Sequence, residues 1–184
     1  RDRLAASAAT ATDPGVTVGS RVVLAEVTHA DHGRLAGLAH RPRGEADAAS
    51  FADRSVERLA DLATTAPRGS VERAAGVAVL NALSVPAVDW REGDPMAALS
   101  AEVGVVATVG LFRPAFRKFG GVEVRVVERD PPGSVDAPPD VTVRTYPPDD
   151  CEAAFAGADV CFLTGSTLVY GGTDRYLAAL ADAA

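Results

Sequence analysis

The hydrophobic pattern of the first half of the chain predicts strands followed by helices. An Ala-rich stretch, 4–11, has the character of a short helix and is followed by the turn residues Asp13-Pro14-Gly15. Two runs of β-forming residues come next, 16–28 and 34–39. The polar segment between them ends in Gly33, which is typical of a hairpin connection.

Two helical patterns follow in the same half. Apolar residues recur at helical spacing within 51–62, and within 71–82 they follow the i, i+3, i+4, i+7 spacing of a core-facing helix. Ser70 is placed to cap the second helix, because its hydroxyl can accept a hydrogen bond from a first-turn N–H. The apolar stripe of that helix is mostly Ala, which allows close approach but buries little area per residue. These elements predict a small α+β lobe.

The pattern changes near residue 90, where strands and helices begin to alternate. Residues 103–109 form a continuous apolar run, as in a strand buried on both faces of a parallel sheet. Pro114 suits the first turn of a helix reaching Phe119, because a first-turn N–H has no intrahelical partner. The remaining predicted elements are strands 122–127, 141–145 and 159–163, a helix over 149–156 and a last helix from 174. We therefore predict an α/β fold with a mostly parallel three-layer sheet, and two domains, 1–90 and 91–184.

Composition and charge narrow the classes of partner. Apolar residues make up 47% of the chain, so disorder is not expected, and no apolar run is long enough to cross a bilayer. The first residues lack a signal-peptide pattern, which predicts a cytoplasmic protein. A net charge of −7 repels nucleic acid and anionic membranes. We expect a small-molecule or metal ligand, with no nucleic acid and no membrane; the oligomeric state, homo-oligomer included, stays open.

Candidate chemistry is concentrated where the predicted parallel strands end. In open α/β sheets, ligands bind outside the carboxyl ends of the strands. Gly110 follows the first of these strands, and Arg113 stands just before the helix predicted at Pro114. Free N–H groups, the helix dipole and the arginine would together favour an anion there. The alternative is a tight turn that needs glycine, followed by a solvated arginine.

Two further strand ends carry polar groups. Glu128 comes eighteen residues after Gly110, a spacing at which dinucleotide-binding folds hold a ribose diol; it could equally bind a metal, act as a general base or pair with Arg129. The segment 164–167, Thr-Gly-Ser-Thr, predicts a hydroxyl-rich loop able to wrap a carboxylate or phosphate, or a long structural turn. Ser166 lacks the GxSxG context of a hydrolase nucleophile.

Metal chemistry has little support from the residues alone. Cys151 and Cys161 are ten residues apart and do not have the spacing of a CxxC chelate, so each is expected to be a packed residue. A two-His-plus-carboxylate site is one interpretation of the hairpin region, and a solvated turn is the favoured one. The residues of that candidate site are His29, Asp31, His32 and His40.

Four motifs in this order resemble the putative heavy-metal chelation family, a group of unknown function. The motifs are Glu72–Leu83 (ERAAGVAVLNAL), Val109–Phe112 (VGLF), Val127–Pro131 (VERDP), and Ala158–Val160 followed by Thr164–Thr167 (TGST). The resemblance covers most of the chain. It implies an N-terminal lobe similar to the enolase N-terminal domain, a Rossmann-like C-terminal lobe and a ligand site in the cleft between them.

The resemblance also implies a set of site residues. They are Asn81, Gly110, Phe112, Glu128, Thr164, Gly165 and Ser166, to which the strand-end chemistry adds Arg113 and Thr167. The family usually has Asn, Gly and Thr after the TGS motif. This chain has Tyr170 ahead of two glycines and Thr173, so the phenol would replace the amide or close the cleft.

The leading hypothesis is a protein that binds a small anionic ligand or metal complex, with Glu128 as the metal-ligating or proton-accepting carboxylate. The oxygen and imidazole ligands available favour harder ions, or a pre-chelated metal, over thiophilic metals. The alternative is a transferase-like enzyme that holds a nucleotide-type cofactor, with Glu128 on the ribose. A binding or sensor module without turnover is a third hypothesis, so the sequence leaves open whether the protein is an enzyme.

Overall fold

The computed structural model describes residues 2–45, 48–94, 97, 99, 102–118, 120–130 and 135–183. Phe119 and Pro131, which the sequence analysis placed in a helix and a family motif, lie outside these residues. The chain divides into two compact units. The first comprises Arg1–Trp90 with Gly165–Gly171, and the second comprises Arg91–Thr164 with Gly172–Ala184.

The order of helices and strands differs between the two parts of the chain: the first contains three consecutive strands, and in the second strands and helices mostly alternate. In the first part of the chain the elements are α1 Asp2–Ala9, β1 Ala11–Val18, β2 Val22–His29, β3 Gly33–His40, α2 Val56–Thr65 and α3 Val71–Ser84. In the second part they are β4 Val105–Val109, α4 Arg113–Lys118, β5 Glu123–Val127, β6 Thr142–Tyr146, α5 Cys151–Phe155, β7 Val160–Leu163, α6 Ser166–Tyr170 and α7 Thr173–Ala183. None of the helices in the described part of the chain is long and apolar enough to span a membrane.

The first unit contains an antiparallel sheet in the order β1-β2-β3. The prediction of a single strand over 16–28 was wrong, because the chain turns after Gly19, whose N–H donates to the Val22 carbonyl at 2.9 Å. The predicted turn at Asp13 lies inside β1 as an irregularity in its pairing with β2. Asp13 takes a positive φ of 49° there, a conformation that Asp tolerates better than most residues.

Two glycines allow α3 to pack at backbone distance from its neighbours. A Cβ on Gly37 of β3 would lie 2.2 Å from the Ala78 carbonyl oxygen, and a Cβ on Gly76 would lie 2.1 Å from the Ala63 nitrogen of α2. The Ala-rich stripe of α3 is buried, as its spacing predicts. The Ser70 cap is also confirmed, because its Oγ accepts the Arg73 N–H at 3.1 Å.

The second unit contains a four-stranded parallel sheet in the order β6-β5-β4-β7, which confirms the predicted α/β fold. Alternate side chains of the strands enter different clusters. On one face Val106, Val124 and Val126 pack with Phe116 of α4. On the other face the strands pack with residues of α5 and α7, so helices cover both faces.

Carboxylates fix the beginnings of these parallel strands. Asp159, just before β7, accepts the N–H groups of Gly104 and Val105 at 2.8 and 2.9 Å. These two backbone bonds hold the pKa of the Asp159 carboxyl below its usual value. Asp140, ahead of β6, accepts the Gly121 N–H at 3.0 Å in the same way. The carboxylates at this end of the sheet therefore satisfy backbone donors of neighbouring strands.

Arg125 links β5 to the end of α5. Its guanidinium donates to Glu123 Oε1 at 2.8 Å and to the Ala156 carbonyl at 2.7 Å, and its side chain is 17% exposed. The hydrogen bond from Arg125 is the main reason that the pKa of Glu123 is lowered. Arg125 thus satisfies a carbonyl at the carboxyl end of α5, where a cation is favourable.

Candidate ligand site at the carboxyl edge of the parallel sheet

Three of the predicted strand-end residues lie along one edge of the second unit's sheet. Gly110, Glu128 and Thr164 directly follow β4, β5 and β7, and β4 is hydrogen-bonded to both other strands. We call this edge, defined by these three residues, the carboxyl edge. From β4 the chain adds β5 and β6 on one side of β4, and it then places β7 on the other side of β4. The direction in which strands are added thus reverses between β4 and β7. Open α/β sheets bind their ligands at such a topological switch point.

Gly110 and Thr164 come close together at that point. A Cβ on Gly110 would lie 3.3 Å from Thr164 Cγ2, and Gly110 has a positive φ of 86°. Its N–H donates to the Val127 carbonyl at 2.9 Å, extending the ladder between β4 and β5. The sheet uses this N–H, so it is not the ligand donor that the sequence analysis expected. Gly110 instead allows the tight turn beside Thr164.

Phe112 and Arg113 follow Gly110 toward α4. The Phe112 ring packs against Phe162 of β7, with ring centroids 5.1 Å apart. Arg113 is exposed at the first position of α4. Because α4 has only six residues, its dipole adds little, so the positive charge next to Gly110 comes from the Arg113 guanidinium.

Glu128 is half-buried, and backbone hydrogen bonds fix both its main chain and its side chain. Its N–H donates to the Tyr146 carbonyl at 3.0 Å, so the β5–β6 ladder continues through this residue. Its Oε1 accepts the backbone N–H of Arg129 at 2.9 Å. Within the described residues the other carboxylate oxygen has no hydrogen-bond partner. This oxygen is therefore the acceptor that Glu128 can offer to a ligand.

Tyr176, which no sequence motif singles out, is buried in the cluster that includes the last residue of β5. It lies in the first turns of α7 and packs with Cys151 and Val127, the residue before Glu128. Burial raises the pKa of the Tyr176 phenol; the nearby Cys151 and Glu128 raise it further, and Arg175 and Arg129 oppose the shift. The position of Tyr176 in a helix predicts only that its side chain is buried, because the spacing of residues in the sequence does not show which groups surround a side chain.

The segment expected to form a hydroxyl-rich loop is largely helical. Ser166 and Thr167 begin α6, and with Gly165 they belong to the first unit, whereas Thr164 belongs to the second. Within the first unit, the Val169 carbonyl accepts the Gly69 N–H at 2.9 Å, and the Leu168 carbonyl accepts from Arg73 Nε at 2.9 Å. The loop prediction for this segment was wrong because these long-range bonds stabilise a helix too short to show a periodic pattern.

Asn81 and Tyr170 have partners in the first unit. The Asn81 side chain is exposed, and its Nδ2 donates to the Leu38 carbonyl of β3 at 2.8 Å. The Tyr170 ring lies 5.8 Å from that of His40. The Asn81 amide therefore satisfies an edge-strand carbonyl, which accounts for a polar residue beside the Ala stripe of α3.

The histidines do not assemble into a metal centre. His29 Nδ1 accepts the Asp31 N–H at 3.1 Å, and Nε2 lies 3.0 Å from Thr10 Oγ1, so both ring nitrogens are engaged. His29 pairs with the first residue of β3 and His40 is its last, about 23 Å along the strand. No group of three or more metal-ligating side chains occurs among residues that the structure describes.

Comparison with known families agrees with the three motifs that lie after residue 96. A family model described as putative heavy-metal chelation, DUF364, matches residues 96–184. Residues 96–184 belong to the DUF364 family. The resemblance inferred from the sequence is thereby confirmed. No curated protein matches the chain.

Two solved DUF364 structures share the fold. A protein of unknown function from Pyrococcus horikoshii has a TM-score of 0.73 and 23% identity, covering 99% of this chain and 72% of its own. A second, from Desulfitobacterium hafniense DCB-2, has a TM-score of 0.68 and 16% identity, covering 94% of this chain and 68% of its own. At these identities the likeness to DUF364 structures establishes the fold alone.

Proposed function

We propose that this protein binds a small anionic ligand or a metal complex at the carboxyl edge. The observation that carries the proposal is the approach of Gly110 to Thr164 where β4 and β7 end, because ligands of open α/β sheets bind at such switch points. Glu128 contributes a carboxylate oxygen from the next strand.

Charge at the carboxyl edge supports an anionic ligand in an otherwise acidic protein. Arg113 is exposed beside Gly110, and Arg129 follows Glu128. The net charge of the chain is −7, so local arginines are needed to attract an anion. An anion with a coordinated metal would satisfy both the arginines and the carboxylate.

The available side chains favour oxygen ligation over thiolate ligation. Cys151 is 2% exposed and packed in the cluster between the sheet and α5, and burial raises the pKa of the Cys161 thiol. Burial thus disfavours the thiolate of Cys161, the form that binds thiophilic metals, and Cys151 is enclosed by its neighbours. A hard ion or a metal already chelated by the ligand fits Glu128 better.

Native mass spectrometry with elemental analysis of freshly purified protein tests the proposal. We expect a co-purifying small molecule or metal, and calorimetric binding of phosphate or of Mg²⁺ with phosphate. Glu128→Gln should weaken metal-dependent binding at least about tenfold, and Arg113→Gln should weaken phosphate binding. Glu152→Gln, an exposed change on α5, is the matched control. Absence of any co-purified species and of binding to either probe would refute the proposal.

A second candidate is an enzyme that holds a nucleotide-type cofactor in the same place. The observation favouring it is the sheet order, in which Glu128 ends the second strand after the glycine turn, the position of the ribose-binding carboxylate in dinucleotide folds. Glu128→Gln distinguishes the two candidates. If the variant loses nucleotide binding and keeps metal uptake, the enzyme is favoured and chelation is rejected.

A further inference from the structure

Phe112 is an exposed aromatic residue beside the carboxyl edge. It is 36% exposed, whereas the other aromatic side chains of the second unit whose burial the structure describes are buried or half-buried. Its ring packs against Phe162 of β7, with centroids 5.1 Å apart and an angle of 42° between the ring planes. Because Phe162 supports the ring from one side, Phe112 presents a positioned aromatic surface to solvent.

The alternation of side chains along the strands places this aromatic surface on the same face of the sheet as Glu128. Val126 of β5 and Phe162 of β7 both pack in the cluster that contains residues of α4. The β5 ladder continues through the Glu128 N–H, so the Glu128 side chain, two residues after Val126, lies on that face as well. Phe112, which rests on Phe162, therefore shares the α4 face with the Glu128 carboxylate.

The register of the sheet gives the spacing of these groups. Thr108 of β4 pairs with Val126 and with Phe162, so these two residues lie level with each other on either side of β4. Glu128 is two residues farther along β5, which places its Cα about 12 Å from that of Phe162. One small molecule can therefore cover the Phe112 ring and extend toward Glu128.

We propose that the ligand of the carboxyl edge carries a planar aromatic ring that stacks on the exposed surface of Phe112. Aromatic pairs are stabilised by their geometry beyond the area that they bury, whereas an aliphatic group is stabilised by the buried area alone. Arg113, the next residue, is exposed and meets the anionic group of the same ligand. The ligand class is thus an aromatic anion, either an aryl phosphate or a nucleotide. This inference rests on the proposed anion site.

Calorimetry with two pairs of phosphates tests the inference. Phenyl phosphate and cyclohexyl phosphate have rings of similar size, of which only the first is flat and aromatic. AMP and ribose 5-phosphate differ by the nucleobase. In at least one pair, wild-type protein should bind the aromatic member about tenfold more tightly, the effect of one ring stacked on an aromatic side chain. A preference in the second pair alone identifies the ring as a nucleobase, and a preference in the first shows that a simple aryl group suffices.

Three variants test whether Phe112 is responsible for the preference. Phe112→Leu keeps an apolar side chain and removes the aromatic face, so it should reduce the preference to less than about twofold. Phe112→Tyr keeps the face and should retain the preference. The matched control is Tyr146→Leu, because the Tyr146 side chain packs with the cluster on the other face of the sheet. This control should also retain the preference.

The outcomes separate this inference from the proposed function. If none of the four phosphates binds wild-type protein, the anion site itself is refuted, and the inference with it. If the phosphates bind but neither pair shows a preference, or if Phe112→Leu keeps it, the aromatic ligand is refuted while the anion site stands.

A second measurement uses the wild-type sequence and does not depend on how well a variant binds. With 4-fluorophenylalanine incorporated, the ¹⁹F resonance of Phe112 is the one that disappears in Phe112→Leu. Saturating aromatic ligand should shift this resonance farther than its non-aromatic counterpart, because a stacked ring adds a ring-current shift. Equal shifts, or an unmoved resonance, would overturn the inference.

Discussion

Replacing Thr108 with Val should stabilise the second unit. Thr108 lies in the middle of β4, pairs with Val126 and Phe162, and is fully buried. Within the described residues its hydroxyl has no hydrogen-bond partner. The folded protein therefore loses the hydration of this hydroxyl and gains no bond in return, and Val has nearly the same shape without the polar atom.

The size of the effect follows from the desolvation of one hydroxyl. An unpaired buried polar group costs about 1–3 kcal/mol, and Thr108→Val removes that cost. For a chain of this length each kcal/mol raises Tm by roughly 2–4 °C. Differential scanning calorimetry is the suitable assay, because the single tryptophan, Trp90, lies in the first unit and its fluorescence would not follow β4.

Two variants control for the other effects of the substitution. Thr142→Val changes an exposed threonine of β6 and should alter the unfolding free energy by less than about 0.5 kcal/mol. Thr108→Ser keeps the hydroxyl, loses a buried methyl and should cost about 1 kcal/mol. A lower Tm for Thr108→Val would mean that the hydroxyl is satisfied in solution and would refute the reasoning.

Two further predictions concern charged groups that hold the second unit together. The pKa of Asp159 is lowered in the folded state, so its ionised carboxylate stabilises the fold at pH values above the pKa of the unfolded chain. This stabilisation is lost as the pH falls through the pKa of the folded protein. Asp159→Asn should therefore lower Tm at pH 7, and the difference from wild type should shrink below pH 4; a difference that persists at pH 2–3 would contradict this. Arg125→Gln should lower the free energy of unfolding in urea by about 2 kcal/mol, because it removes the hydrogen bonds that the 17% exposed guanidinium donates to Glu123 and to the Ala156 carbonyl at the end of α5. Arg144→Gln, whose 62% exposed side chain also approaches Glu123, should cost less than about 1 kcal/mol, and equal losses would refute the role of Arg125.

Local pattern predicted the elements whose signal lies within the element itself. The Ala spacing in 71–82 and the Ser70 cap together predicted α3, and the apolar run ending at Val109 predicted β4. Each of these signals reports burial or a first-turn hydrogen bond, which neighbouring residues determine. The folded structure contains these elements because its tertiary contacts favour the same local conformations.

The missed features depend on distant residues. The helix over Ser166–Tyr170 is held by bonds from Gly69 and Arg73, nearly a hundred positions earlier. The residues around Asp13 were predicted to form a turn, but the irregularity there lies inside β1, which pairs with β2 on both sides of it. No window of adjacent residues contains this information.

The candidate site divides in the same way. The sequence alone determined that polar residues follow buried strands and that Glu128 lies eighteen residues after Gly110. Tertiary structure decided that β4 lies between β5 and β7, that the Gly110 N–H is used by the sheet and that Tyr176 is buried in the same cluster as Val127. Periodicity records how deeply each residue is buried, whereas chemistry depends on which groups meet, and strand order fixes those meetings.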